Sequence, residues 1–296
     1  MKKHIYVFLC TVILLGLPNV TGFIVKNNLY EIKNVSVDDN VPIWELGDSW
    51  TYDINRFQIN FSASSALLGL DSAIDDLTLE MIGYSETSYI LKLSGKIRGS
   101  FQYESGEGIA LKGNLYFARI SGNMYFRQND LASEKLSIFI NGIALLHKHP
   151  FQIPISIPIP LKITININQS TPRSFIDFPL YDGKQGFINE TGIYANIKFE
   201  SIFLQILSLF FADIPNEISY QETFDISMFD YLAKNENLSV GAGTFNSYNI
   251  SFSWGLFGSI FYAPNVGNYI KAESVIDIPN QFMVLIMGEL KSYNYQ

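Results

Sequence analysis

Apolar residues recur at every second position along much of this chain, most clearly from Ile153 through Ile167. Successive side chains of a β-strand point to opposite faces of a sheet, so a period of two indicates a strand rather than a helix. Pro154, Pro158 and Pro160 occupy intervening positions of this run. Because proline cannot donate a backbone hydrogen bond, we expect at least the first half of the strand to lie at a sheet edge or in a bulge.

Further strand-like segments, bounded by Gly, Pro, Ser, Asn and acidic residues, cover most of the chain from Ser49 onward. Between two of them, Ser121-Gly122-Asn123 predicts a hairpin turn, because Gly and Asn adopt the positive φ angles that tight turns need. The other predicted strands are Ser49–Phe61, Leu77–Gly83, Ser88–Tyr103, Ile109–Ile120, Glu134–Leu146, Ile218–Ile226, Leu238–Val240, Thr244–Trp254, Leu256–Tyr262, Asn268–Ile278 and Phe282–Tyr295.

One segment has the clear periodicity of a helix. From Phe199 to Asp213 apolar residues follow the i, i+3, i+4 rule, and Pro215 stands shortly after the end. The polar side of this helix is thin, so most of its circumference should be covered by other parts of the protein. Packed into the concave face of a sheet, the helix would bury Phe203, Ile206 and Phe210 almost completely.

The number of strands relative to helices favours an all-β class, either a sandwich or a curved half-barrel. A second, shorter helix is predicted at Ser64–Asp71. We expect a mainly antiparallel, strongly curved sheet or half-barrel, with one or two helices in or over its concave face. Composition does not break within residues 44–296, so a single β-rich domain is preferred to two smaller ones.

The N-terminus is typical of a secretory signal peptide. A positively charged start precedes an apolar run, Ile5–Leu17, which is shorter than the roughly 20 residues that span a membrane. Cleavage after Gly22 makes residues 1–22 the predicted signal peptide and the polar residues 23–43 an exposed leader. An uncleaved membrane anchor is the alternative. We therefore expect an exported protein, either extracellular or associated with the cell envelope.

Cysteine content and net charge exclude several classes of site and partner. Cys10, the only cysteine, lies within the predicted signal peptide. Disulfides, cysteine-ligated metals and thiol nucleophiles are therefore excluded from the rest of the chain. The net charge of −8 disfavours nucleic acid and anionic membrane surfaces as partners. No transmembrane span is predicted after the signal, because the apolar run Phe199–Ala212 is short and contains Glu200.

Asn-x-Ser/Thr sequons follow the predicted signal at several points of the chain. In a cell that glycosylates such sites they would mark positions that face solvent. In a chain this rich in Asn, several of them would also arise by coincidence, so both readings stay open. The candidate glycosylation sites are Asn34, Asn60, Asn168, Asn189, Asn237 and Asn249.

Two parts of the chain resemble known exported proteins. The stretch Trp44-Glu-Leu-Gly-Asp-Ser-Trp-Thr-Tyr52 resembles the W-x-x-G-D-x-W-x-Y opening of many exported archaeal and bacterial proteins of unknown function. The stretches Val240–Phe245, Tyr262–Lys271 and Glu289–Tyr293 resemble the closing hairpins of the same group. Those proteins are similar in fold to the bacterial lipoprotein carriers, in which a strongly curved antiparallel sheet wraps helices and can hold acyl chains. The resemblance implies that fold here, while the carriers' lipid-binding residues cannot be placed on this chain.

Candidate chemistry is sparse. His147 and His149 lie on one face of a predicted strand and could begin a metal site, but no third ligand is visible nearby. An exposed strand end is the favoured interpretation, and we predict no metal and no other cofactor. Motifs for nucleophilic catalysis, zinc-dependent hydrolysis and phosphate binding are absent from the sequence, so we do not expect an enzyme.

Two non-catalytic functions fit these observations. The first is an exported protein that binds a hydrophobic or lipid-like ligand in the hollow of a curved sheet, with Phe203, Leu207 and Phe210 as candidate lining residues. The second is a surface or structural module of the cell envelope, which interacts through its exposed faces without a small-molecule ligand and carries glycans if the sequons are used.

Overall fold

A computed structural model of the protein describes most of the chain from Val41 to its C-terminus. Within the described residues the chain forms fourteen β-strands and one short α-helix, so the all-β class is confirmed. The N-terminal residues 1–40, with the predicted signal and most of the leader, lie outside this part. The described residues are 41–63, 66–105, 110–148, 156–172, 174, 177–188, 191–210, 217–226, 229–253, 256–278 and 282–296.

The strands are long in the N-terminal half and shorter in the C-terminal half. The single described helix is α1, Ile202–Phe210. The strands are β1 Ser49–Ala63, β2 Ala66–Tyr84, β3 Ser88–Ser105, β4 Ala110–Arg127, β5 Ser133–Lys148, β6 Ile157–Gln169, β7 Gln185–Ile188, β8 Thr191–Glu200, β9 Glu217–Ile226, β10 Phe229–Val240, β11 Gly243–Ser253, β12 Leu256–Ala263, β13 Asn268–Ile278 and β14 Phe282–Asn294.

All the strands belong to one antiparallel sheet. Their order is β7-β10-β11-β12-β13-β14-β1-β2-β3-β4-β5-β6-β8-β9, so most neighbours in the sheet are also neighbours in the chain. The exception at the centre is β1, which pairs with β2 on one side and with the last strand, β14, on the other. The sheet is therefore two meanders joined through the pairing of β1 with β14.

Side chains alternate between a buried face and an exposed face of this sheet. In β5, Leu136, Ile138 and Ile140 are buried, whereas the intervening Ser137 and Phe139 are not. The buried side chains form one continuous cluster that draws on β1 to β6 and on β10 to β14. We call the side that carries this cluster the inner face and the opposite side the outer face. This alternation of buried and exposed side chains corresponds to the period-two pattern of apolar residues in the sequence.

Register shifts occur at adjacent positions of neighbouring long strands and bend these strands. Lys96 pairs with Asp75 on one side and with Arg119 on the other, next to shifts in β2, β3 and β4. Two non-glycine residues in these shifts, Asp76 and Phe117, have positive φ angles of 51° and 50°. Because a β-bulge bends its strand and increases its local twist, adjacent bulges deform several strands together.

Two tryptophans of the opening motif fix the start of β1 to a distant turn. The indole Nε1 of Trp44 donates to the carbonyl of Gly267 at 2.9 Å, and that of Trp50 donates to the carbonyl of Val266 at 2.8 Å. Both rings are buried, with their centroids 5.3 Å apart. We call this arrangement the tryptophan clamp. It joins Trp44–Tyr52 to the turn within Tyr262–Lys271, so two of the stretches that carry the family resemblance are in contact.

The turn before β1 is built on the adjacent residues Gly47 and Asp48. Gly47 has a φ of 92°, and the buried Asp48 accepts a hydrogen bond from the backbone N–H of Glu45 at 2.7 Å. Gly47 and Asp48 also exchange backbone hydrogen bonds with Met81 of β2. These residues therefore have a structural role in starting the sheet.

The proline-rich strand lies where its sequence predicts. β6 pairs with β5 over almost its whole length, but β8 pairs with β6 only from Lys162 onward. Among the described residues, Pro158 and Pro160 therefore lie in the half of β6 that has one strand neighbour, as the prolines predict. Pro154 lies outside the described residues.

Three local predictions were wrong. The segment Ser64–Asp71 is not a helix, because β2 begins at Ala66. The predicted hairpin at Ser121–Asn123 does not form, since β4 continues through it and Gly122 pairs with Leu93 of β3. The predicted helix at 199–213 is shorter than expected, because β8 continues through Glu200 and α1 begins at Ile202.

Gly122 has a packing role that a turn glycine would not have. A Cβ atom at this position would fall on the carbonyl oxygen of Ser137 in β5, whereas one at Gly83 of β2 would have its nearest neighbour at 4.0 Å. We expect Gly122→Ala to lower the free energy of unfolding by about 1–3 kcal/mol, because the strands must move apart. Gly83→Ala should be neutral or slightly stabilising. Urea denaturation of both variants measures the difference, and equal effects would contradict the continuous β4.

Candidate functional site

The predicted ligand-lining helix lies beside the edge half of β6. Its position is set in part by Ser201, whose hydroxyl donates to the carbonyl of Pro160 at 2.8 Å. The expectation that Ile206 is almost completely buried was wrong, because this side chain is 46% exposed and Leu209 is 80% exposed. A short helix next to a sheet edge leaves one side in solvent, which the apolar periodicity alone does not reveal.

The three candidate lining residues Phe203, Leu207 and Phe210 belong to α1. Their side chains lie outside the described part of the structure, so their role as a ligand lining stays a prediction. Elsewhere the described inner face is filled by large side chains such as Trp44, Trp50 and Phe126, which are all buried.

A small cavity on the inner side has a volume of about 30 Å³ and is lined in part by Tyr52, Ile54 and Tyr269. The buried hydroxyl of Tyr269 has no hydrogen-bond partner in the described structure, and burial raises the pKa of this tyrosine well above its ordinary value. Since a site of about 10–15 Å³ can hold one water, this cavity suits a water molecule and not an acyl chain.

The other sequence candidates do not form a site on the described residues. His147 Nδ1 is 2.9 Å from the hydroxyl of Ser156, and His149 lies outside the described part. No group of three or more potential ligand side chains suited to a metal ion occurs among the residues that the structure describes. Of the sequon asparagines, Asn237 is exposed. Three are partly buried, namely Asn60, Asn168 and Asn249. The other two, Asn34 and Asn189, lie outside the described residues.

The outer face carries a row of hydroxyl groups that the sequence analysis missed. Cross-strand pairing places one uncharged residue of each strand from β1 to β6 side by side. At one end of the row the hydroxyls of Thr51 and Thr78 are 3.0 Å apart. We call this set the hydroxyl row, and it consists of Thr51, Thr78, Ser94, Ser121 and Thr164, with Phe139 between the last two.

A second row on the outer face is rich in amides. Asn123 of β4 pairs with Ser137 of β5, which pairs with Asn166 of β6, and Asn166 pairs with Asn196 of β8. The Ser137 hydroxyl is 2.9 Å from Asn166 Oδ1. We call these four residues the amide row. It lies two residues along each strand from the hydroxyl row, so the two rows are adjacent on the same face.

Aromatic rings border the amide row. Tyr125 of β4, Lys135 of β5, Asn168 of β6 and Tyr194 of β8 form the next row along the strands. The ammonium group of Lys135 lies 5.6 Å from the centre of the Tyr125 ring, and Tyr194 is an exposed side chain. On the other side of the amide row, Phe139 is also exposed. Rings therefore lie on both sides of the amides.

Several charged side chains around the two rows form ion pairs. Glu200 lies 2.9 Å from Lys162 Nζ and 3.3 Å from Lys198 Nζ, and hydrogen bonds from these lysines lower the pKa of its carboxyl group. Lys92, at the end of the amide row, lies 3.9 Å from Glu80. These exposed pairs stabilise little, but they reduce the local charge beside the uncharged rows.

The same outer face carries an apolar patch at the other end of β4 and β5. Tyr116 pairs with Ile143, and Ile143 pairs with Pro160 at the edge of β6. Tyr116, Ile143 and the neighbouring Phe117 are exposed, Phe117 by 88%. We call Tyr116, Phe117, Ile143 and Pro160 the apolar patch.

Comparisons of this chain with models of protein families, with curated proteins and with solved structures found no match. Among the described residues, no helix has both the length and the apolar character to cross a membrane.

The amide row should carry a measurable cost in stability. Asn is depleted in β-strands, where Thr is favoured, and the difference between residues reaches about 1 kcal/mol. Asn196→Thr should therefore raise the free energy of unfolding by a few tenths up to about 1 kcal/mol. The reciprocal change Thr164→Asn in the neighbouring row should lower it by a similar amount. Chemical denaturation of the two variants measures both effects, and a destabilising Asn196→Thr would show that Asn196 serves the fold.

Proposed function

We propose that the protein is an exported, non-catalytic interaction module of the cell envelope that acts through the outer face of its sheet. The observation that carries this proposal is the contrast between the two faces. The described inner face is filled by buried side chains, whereas the outer face presents two uncharged rows and an apolar patch to solvent. Export rests on the signal-like residues 1–22.

The apolar patch supports contact with another molecule. Phe117 has a left-handed φ of 50°, a conformation that costs an L-residue with a bulky side chain roughly 1–2 kcal/mol. Its ring is nevertheless 88% exposed and therefore gains little from the core. Strained backbone that holds an exposed aromatic ring is a feature of contact sites rather than of scaffolds. Exposed apolar side chains that cluster on a surface likewise indicate a site of contact with another molecule.

The curvature of the sheet belongs to this proposal as well. One sheet whose inner face forms a single cluster must fold over its own core, unless another layer covers that face. In the described residues the only helix lies beside β6 and exposes Ile206 and Leu209. We therefore infer a strongly curved sheet that closes over its own side chains, with the bulges as the points at which the long strands bend.

A hydrophobic ligand in a hollow is the less supported function. The described cavity, about 30 Å³, is far smaller than an acyl chain requires. A hollow beneath Phe203, Leu207 and Phe210, whose side chains lie outside the described residues, is where such a ligand would bind. Native mass spectrometry of protein purified from its source cells separates the two functions. We expect the mass of the chain and its covalent modifications without a bound lipid, and a stoichiometric lipid would favour the hollow instead.

Binding to cell envelopes tests the proposal directly. The double variant Phe117→Asn/Phe139→Thr removes two exposed rings, and it should keep the fold because Asn tolerates a positive φ and Thr favours strands. We expect the wild-type protein to co-sediment with isolated envelopes of its source cells and the double variant to lose most of this binding. Thermal unfolding checks that both proteins are folded.

The matched control is Phe187→Thr, which removes an exposed phenylalanine, 55% accessible, from the distant strand β7. This variant should sediment like the wild type. If the wild-type protein did not sediment with envelopes, or if all three proteins sedimented equally, the outer face would not be the contact surface and the proposed function would be wrong.

A further inference from the structure

We infer that the apolar patch, helix α1 and the basic residues beside them attach the protein to the surface of an anionic lipid bilayer. This inference rests on the proposed function, since it names the partner of the outer face. Two features carry it, a continuous exposed apolar surface and an excess of cations next to that surface.

Helix α1 extends the apolar patch along the edge of β6. The hydroxyl of Ser201, directly before the helix, donates to the carbonyl of Pro160, which is part of the patch. Beyond this contact, Ile202, Ile206 and Leu209 are 59%, 46% and 80% exposed. Their i, i+4, i+7 spacing places them on one side of a helix that contains no charged residue. The patch and the exposed side of α1 are therefore neighbours on the surface.

The net charge of −8 is distributed unevenly over the sheet. The five adjacent strands β3, β4, β5, β6 and β8 contain ten Lys and Arg residues against three acidic residues, a net charge of +7. The other nine strands contain four basic residues against thirteen acidic ones, a net charge of −9. The part of the sheet around the patch is therefore basic within an acidic protein, and it can attract an anionic partner that the net charge alone disfavours.

Cations border the patch directly. Arg119 pairs with Asn141, and Asn141 pairs with Lys162, so these residues form the row next to Phe117, Ile143 and Pro160 of the patch. Arg119 is exposed, and no carboxylate of the described residues forms an ion pair with it. Lys162 and Lys198 share the single carboxylate of Glu200. The border of the patch therefore keeps an excess of positive charge.

The combination of the two features favours a lipid surface over other anionic partners. Nucleic acids and acidic polysaccharides would pair with the cations, but they offer no hydrocarbon in which Ile206 and Leu209 could be buried. At a bilayer surface, apolar side chains enter the boundary between headgroups and acyl chains, while Lys and Arg bind anionic headgroups. A single apolar group gives only marginal membrane binding, and a basic patch supplies the second contribution that stable attachment needs.

Sedimentation with phospholipid vesicles tests the inference on protein in the form that its source cells export. One set of vesicles contains equal parts of phosphatidylglycerol and phosphatidylcholine, and the other contains phosphatidylcholine alone. We expect the protein to bind the anionic vesicles about tenfold or more strongly than the neutral ones, because headgroup charge adds to apolar insertion. Added salt should weaken this binding, since salt screens exposed charges. Because the vesicles contain no protein, binding to them separates a lipid surface from an acidic protein partner.

Arg119→Gln/Lys162→Gln removes two cations beside the patch, and Lys198 remains to pair with Glu200. We expect this variant to bind the anionic vesicles about tenfold or more weakly than the wild type, because both charges lie close to the headgroups. The matched control is Arg56→Gln/Lys234→Gln, which removes the same charge from exposed positions of β1 and β10. This control should bind like the wild type.

Ile206→Gln/Leu209→Gln tests the apolar contribution of α1. Glutamine is a good helix former, so the variant should keep the helix, which thermal unfolding checks. We expect its binding to anionic vesicles to fall about tenfold or more, because two inserted side chains are lost. Phe187→Thr, which removes an exposed ring from β7, should bind the vesicles like the wild type.

Two results would overturn the inference. One is a wild-type protein that binds the anionic vesicles no more strongly than the neutral ones. The other is undiminished vesicle binding by either double variant, since cations without insertion, or insertion without cations, would not be the proposed attachment. If the protein still sediments with envelopes through Phe117 and Phe139 in these cases, the proposed function stands and its partner is not a lipid surface. Loss of envelope binding altogether would instead remove the proposed function.

Discussion

The pairing of β1 with β14 is the interaction on which the rest of this structure depends. It joins the meander β10 to β14 with the meander β2 to β6, and without it the chain would form two separate sheets. The tryptophan clamp reinforces this pairing, because Trp44 and Trp50 tie the start of β1 to the turn that follows β12. Burial of two indoles, each with its N–H satisfied, stabilises this contact without leaving an unpaired polar group in the core.

A continuous sheet of this kind divides its residues into two groups with different constraints. Inner side chains must fill the core closely, because an interior tolerates few voids. Outer side chains are free of that requirement, so their identity can follow function. The inner residues of β5, Leu136, Ile138 and Ile140, are all aliphatic, while Ser137 and Phe139 between them belong to the two uncharged rows.

Much of the fold could be predicted from the sequence because period two is a local signal. It located most strands in the C-terminal half to within a few residues, and the prolines indicated the edge half of β6. Predictions failed where a local signal has two physical meanings. Gly122 can make a turn or permit close strand approach, and Ala66–Asp71 lacks the polar alternation that distinguishes a strand from a helix. The apolar repeat from Ile202 onward does not show which neighbours cover it.

The outer rows could not be predicted from the sequence, because they exist only once the register between distant segments is fixed. Thr51 and Thr164 are brought into one row by five successive pairings, and a shift of one residue in any of them would turn the row to the inner face. The register shifts in β2 and β3 occur before or after Thr78 and Ser94 along those strands. The pairing of Thr78 with Ser94 and of Ser94 with Ser121 is therefore uninterrupted. The paired strands therefore hold these groups in fixed positions, as the proposed contact surface requires. A contact surface built on paired strands loses little conformational freedom on binding, which allows many weak hydrogen bonds to add up.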